Sequence, residues 1–130
     1  MTTIDVREVG PCPELDAACA EALGLKLSWT VRHWTRITMV VDRHVSYPLR
    51  KYSKSIVAAW KLVEAMLDDE LSVELQASKC DLECVVYEPD EVFAHSWVEV
   101  CAVRAETAPL AISRAFLLAH GVTELEVSDD

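Results

Sequence analysis

Glycine is scarce in this chain: only Gly10, Gly24 and Gly121 occur in 130 residues. A phosphate-cradling loop needs several glycines close together so that backbone amides can converge on an anion, and that device is excluded. The Gly-x-Ser-x-Gly turn that exposes a nucleophilic serine is missing as well. Long apolar runs are also absent. Hydrophobic residues make up 52% of the chain, yet its longest uncharged apolar stretches, such as 56–60 and 115–119, fall far short of the ~20 residues that a membrane-crossing helix needs. The expectation is a soluble protein with no membrane partner. The first ten residues place Asp5, Arg7 and Glu8 where an export signal would need an apolar centre, so a cytoplasmic location is expected.

Bases are in deficit. Twelve Lys and Arg against 22 Asp and Glu give a formal charge of -10, which argues against general nucleic-acid binding, because that rests on many cations meeting phosphates. The bases that are present are gathered: eight lie between Lys26 and Lys61 beside the single acid Asp42, while the rest of the chain holds four bases and 21 acids. Such segregation points to an anionic ligand, an acidic partner, or two halves of one fold attracting each other.

The five cysteines are an odd number, and Cys80, Cys84 and Cys101 fall in or beside expected strands, which suits reduced thiols better than a disulfide framework. Cys80 and Cys84 on one strand would stand roughly 13 Å apart, too far to share a tetrahedral zinc. With His33, His44, His95 and His120 scattered, no metal and no cofactor is expected.

One domain is expected, with its ordered core over about 13–121. Leu15, Ala18, Cys19, Ala22 and Leu23 recur at helical spacing and Gly24 follows, which predicts a helix over 14–23. Alternation over 26–42 predicts a two-stranded hairpin broken at 33–36, with Trp34 near the turn, and 43–51 reads as a loop. Ser53 is positioned to cap a second helix that starts at Lys54 and buries Ile56, Val57, Trp60, Val63, Met66 and Leu67, stopping at the acids Asp68 to Glu70. Strands follow over 71–77 and 82–86, then a loop over 88–94. Residues 97–103 are apolar on both faces apart from Glu99, as in a central strand covered on both sides. Thr107 and Pro109 open a last helix that ends at Gly121, and an acidic tail follows.

The predicted fold class is α+β, with an antiparallel sheet of about five strands sandwiched between helical layers in the order α-β-β-α-β-β-β-α. Residues 53–119 alone run helix-strand-strand-strand-helix, the order of a double-stranded-RNA-binding domain. That identity is disfavoured, since 71–121 carries only Lys79, Arg104 and Arg114 as bases.

Three blocks taken together resemble the phage ABA-sandwich family: 14–24 (Glu-Leu-Asp-Ala-Ala-Cys-Ala-Glu-Ala-Leu-Gly), 52–60 (Tyr-Ser-Lys-Ser-Ile-Val-Ala-Ala-Trp) with Val63 and Glu64, and 105–112 (Ala-Glu-Thr-Ala-Pro-Leu-Ala-Ile) with Arg114 and Ala115. They lie in the family's order over about 13–121. One departure is Gly24-Leu25, where the family often has Gly-Trp. The resemblance implies a sheet between helical layers and a phage setting, hence the host cytoplasm. It implies no enzyme activity and brings no catalytic residues.

The chemistry-bearing stretch is Arg50, Lys51, Tyr52, Ser53 and Lys54. Read functionally, free amides at a helix start, three cations and a stacking ring would hold an anionic small molecule, a nucleotide signal of host defence being one candidate. Read structurally, the same stretch is a cap and a tyrosine packed on the core. The first expectation is therefore a non-enzymatic phage accessory protein with an anionic ligand. The alternative is a protein-interaction module, binding an acidic protein partner or forming a homo-oligomer with no small-molecule ligand.

Overall fold

The buried helix near the C-terminus organises the fold. Thr107 adopts the extended backbone of an N-cap and Pro109 stands in the first turn of α3 (Ala108–Ala119). Leu110, Ile112, Ala115, Phe116 and Leu117 are all buried, so this helix is surrounded rather than half-covered. Structure is given by a computed structural model that describes residues 2–32, 35–42, 45–93 and 95–127, with 29–32, 35–42 and 45–46 described by backbone alone.

The elements in order are β1 (Thr2–Asp5), α1 (Pro13–Ala22), β2 (Lys26–Arg32), β3 (Thr35–Asp42), β4 (Val45–Pro48), α2 (Ile56–Asp68), β5 (Ser72–Ala77), β6 (Leu82–Pro89), β7 (Trp97–Ala105), α3 and β8 (Glu124–Val127). The class is α+β with antiparallel pairing throughout, as expected. The sheet is not a single one of about five strands. Among the described residues three sheets form, β1-β8, β2-β3-β4 and β5-β6-β7, and none of them has more than three strands.

The expected hairpin is present, with Arg32 opposite Thr35, but the loop assigned to 43–51 contains β4, which pairs Asp42 with Val45 and Met39 with Pro48. Trp34 and His44 lie outside the described residues, as do the side chains of Arg32, Arg36 and Arg43. Order also reaches beyond 13–121: β1 pairs with β8 from Thr2 opposite Val127 to Asp5 opposite Glu124, and Val6 and Val9 enter the core.

The most visible correction concerns residues 97–105. The pattern of residues 97–103, apolar on both faces apart from Glu99, predicts a central strand, but β6 takes the centre and β7 the edge. Cys84, Val85 and Val86 of β6 are buried, whereas Trp97, Val98 and Val100 are exposed. A register shift between Val86 and Tyr87 pairs these with Cys101 and Glu99, so Val100 is skipped as a bulge residue. Val73, Cys84, Val86, Cys101 and Val103 join the helical core from one face of this sheet. Arg104 and Glu83 are directly opposed on the other face, Nε to Oε2 3.3 Å.

Arg114 fastens the N-terminal segment to this core. Its Nε and Nη2 donate to the Val9 carbonyl at 2.9 and 2.6 Å, and its Nη1 donates to the Arg104 carbonyl at 2.9 Å. Burial pulls the guanidinium pKa down, opposed by Glu8 and Glu106.

Candidate functional site

The approach to α2 is built differently from the simple cap read in the sequence. The N-cap is Ser55, whose Oγ accepts from the Ala58 amide at 3.3 Å. Ser53 cannot serve, because it is fully buried and committed elsewhere: its amide and its hydroxyl both donate to Asp16 Oδ1 of α1, at 2.8 and 2.7 Å. A turn then closes, with the amides of Lys54 and Ser55 both donating to the Lys51 carbonyl at 3.1 and 2.8 Å. The amides of residues 53, 54, 55 and 58 are therefore already occupied, which removes most of the free-amide cradle.

Of the five residues singled out, the structure separates two from three. Tyr52 is 1% exposed and packs in the core, so its ring cannot stack on a ligand from solvent; burial first of all raises its hydroxyl pKa. Ser53 lies beside it. Arg50, Lys51 and Lys54 are exposed, and none is within ion-pair distance of a described carboxylate. Lys61, at the other end of the basic stretch, pairs with Glu64 at 3.7 Å.

Asp16 is the residue that sequence reasoning passed over. It reads as an acid favourably placed in the first turn of α1, yet it is buried and ties α1 to the entry of α2. Burial raises its pKa, while the Ser53 hydrogen bonds and the nearby Lys54 and Lys51 charges work against that rise. Its signal was its place between Leu15 and Ala17, both of which are buried.

The exposed groups with the most unusual surroundings belong to α2 itself. Ile56, Val57, Trp60 and Leu67 are 48%, 77%, 50% and 52% exposed, although the sequence pattern assigned all four to the core. At 100° per residue Ile56, Trp60 and Leu67 fall within a 40° arc, and Val57 lies about 60° further round. Ala58, Ala59, Leu62, Val63 and Met66 turn to the core instead. A shallow open depression of about 370 Å³ runs along this outer face, lined among the described residues by Ile56, Val57, Trp60, Lys61 and Glu64. A second exposed apolar group, Val92 and Phe93, sits in the β6–β7 loop, where Asp90 Oδ1 accepts from both amides at 2.8 and 3.3 Å.

Among the described residues no group of three or more His, Cys, Asp and Glu is placed to hold a metal. All five cysteines are free; burial pushes the Cys84 thiol up to about 12 and raises Cys12, Cys19 and Cys101 as well, so these thiols stay protonated. No helix among the described residues is long and apolar enough to cross a membrane.

No curated protein and no solved structure matches the chain. The family model of the phage ABA sandwich domain matches residues 24–117, which takes in β2 to most of α3 and leaves out the α1 block of the resemblance. That is well over half of the chain, and with an α+β architecture in agreement the protein belongs to the phage ABA sandwich domain family.

Proposed function

We propose that this protein is a non-enzymatic phage accessory protein that works by docking to protein through the outer face of α2. The observation that carries this is the exposure of Ile56, Val57, Trp60 and Leu67 along one side of a single helix. Scattered exposed apolar residues are ordinary, but a contiguous apolar face rimmed by Lys61 and Glu64 is the anatomy of an interaction surface. A large aromatic at its centre, Trp60, is the type of residue on which binding energy concentrates.

The test is a photo-crosslinking amino acid introduced at Val57, with Gln76 on the exposed part of β5 as the control site. The expected result is one adduct of defined mass from position 57, lost when Trp60→Glu is added, and none from position 76. Equal labelling at both sites, or no adduct at 57, overturns the reading.

A second reading, the binding of an anionic small molecule such as a nucleotide signal, is favoured by the three exposed cations Arg50, Lys51 and Lys54, which have no described carboxylate in ion-pair range. Tyr52 and Ser53 would support this site from the core rather than touch the ligand. Titration calorimetry with a nucleotide panel and with inorganic phosphate tests it. Heat of binding that disappears in Arg50→Ala with Lys51→Ala supports the site, and no heat in the parent protein removes it.

A further inference from the structure

The charges at the two ends of α2 run against its own dipole. A helix favours acids at its start and bases at its end, yet α2 has no acid in its first turn and no base in its last. Lys51 and Lys54 stand just before it, and Asp68, Asp69 and Glu70 close it, all exposed. Asp69 has a neighbour in its own chain, His120 Nε2 at 3.9 Å, whereas Asp68 and Glu70 have no ion pair among the described residues. Within one chain these charges oppose the helix dipole at both ends, where the nearby opposite charges are Asp16 for Lys51 and Lys54 and His120 for Asp69.

We infer that the outer face of α2 is a self-complementary interface on which a second copy of this chain docks antiparallel, α2 against α2. This rests on the docking reading above and names its partner. Turned end over end about its midpoint, the helix places Ile56 opposite Leu67 of the second copy and brings the two Trp60 rings together at the centre. The same operation sets Lys54 against the Asp68–Glu70 turn of the second copy, twice by symmetry. The arrangement thus matches apolar with apolar and basic with acidic, and it sets the two helix dipoles side by side and antiparallel. With 13 residues at about 1.5 Å each, α2 is about 20 Å long, and in this arrangement each of its ends lies beside the opposite end of the second copy. A contact made mainly by one helix is small, so the end charges decide whether it holds.

Sedimentation equilibrium of the purified full chain over a concentration series tests this, with circular dichroism to confirm folding. The parent protein is expected to dimerise, and to do so less as salt rises. Lys51→Glu with Lys54→Glu makes both ends acidic, and Asp68→Lys with Glu70→Lys makes both ends basic. Each variant alone should dimerise at least tenfold more weakly than the parent. An equimolar mixture of the two should recover a heterodimer, because each copy then offers the charge the other lacks. The inference is overturned if the parent is monomeric throughout, if either variant dimerises like the parent, or if the mixture stays monomeric. A monomeric parent that still gives a Val57 adduct with a different protein removes the second copy and keeps the docking surface. A monomeric parent with no adduct removes both.

Discussion

Two helices of similar apolar composition meet different fates in this fold. In α3 eight of twelve residues are buried, and in α2 five of thirteen. The difference lies in what surrounds them: α3 contacts α1, α2, β6 and β7, whereas α2 is backed by α3 and β5. Hydrophobicity beyond what the fold covers lies on α2, so one helix is enclosed in the core and the other keeps an exposed apolar side.

The strongest way to break this contrast is to truncate one large side chain on each helix. Phe116→Ala removes a fully buried ring from the centre of α3 and should cost about 3–5 kcal/mol in denaturant unfolding. Trp60→Ala, on a half-exposed ring of α2, should cost about 1 kcal/mol or less in the same assay while abolishing the Val57 adduct. Equal stability losses would end the distinction between a structural and a docking helix.

Next in size is the tie between α1 and the start of α2. Asp16→Ala leaves the buried amide and hydroxyl of Ser53 without an acceptor and should cost about 1–3 kcal/mol. Asp16→Asn keeps an acceptor oxygen and should cost less. The two proteins should also differ in pH dependence. Burial raises the folded-state pKa of Asp16 above its ordinary value of 3.8, so the native state binds the proton more tightly than the unfolded chain. The resulting penalty is full above the raised pKa and fades as pH falls through it toward 3.8. Parent stability relative to Asp16→Asn should therefore rise as pH is lowered through that window; a difference that falls or stays flat would show that the hydrogen bonds and the lysines outweigh burial.

The sequence revealed secondary structure where side-chain pattern and local geometry agree. Pro109 and Gly121 bracket α3, and Leu15 with Cys19 and Gly24 define α1 and its end, the last at a φ of +88° that glycine alone adopts freely. It failed where the decisive partner was distant. Ser53 and Ser55 are equally plausible caps by local rule, and only the Asp16 carboxylate, 37 positions away, assigns the buried role to Ser53. Residues 97–100 have the composition of a central strand, but whether another strand lies beyond them is a fact about topology. The same limit applies to the site: clustered cations were visible, but the burial of Tyr52 and the uncovered side of α2 depend on how the helices stack. Strands β1 and β8 were missed because each has four residues and a partner at the opposite end of the chain.

The smallest expected effect sharpens the contrast from inside the buried helix. Ser113 of α3 is fully buried and its hydroxyl has no hydrogen-bond partner among the described residues, whereas the equally buried Ser53 is satisfied by Asp16. A buried hydroxyl gives up its bonds to water, and where no protein atom replaces them its removal carries no penalty. Alanine is also the better helix former by a few tenths of a kcal/mol. Ser113→Ala should therefore raise stability by about 0.5–1 kcal/mol, a few degrees in Tm, and Ser53→Ala should lower it by about 1 kcal/mol. Two identical substitutions at equal depth with opposite signs would show that hydrogen-bond satisfaction, rather than burial, separates the two serines. A loss of stability in Ser113→Ala would mean that its hydroxyl finds an acceptor within the turn of α3.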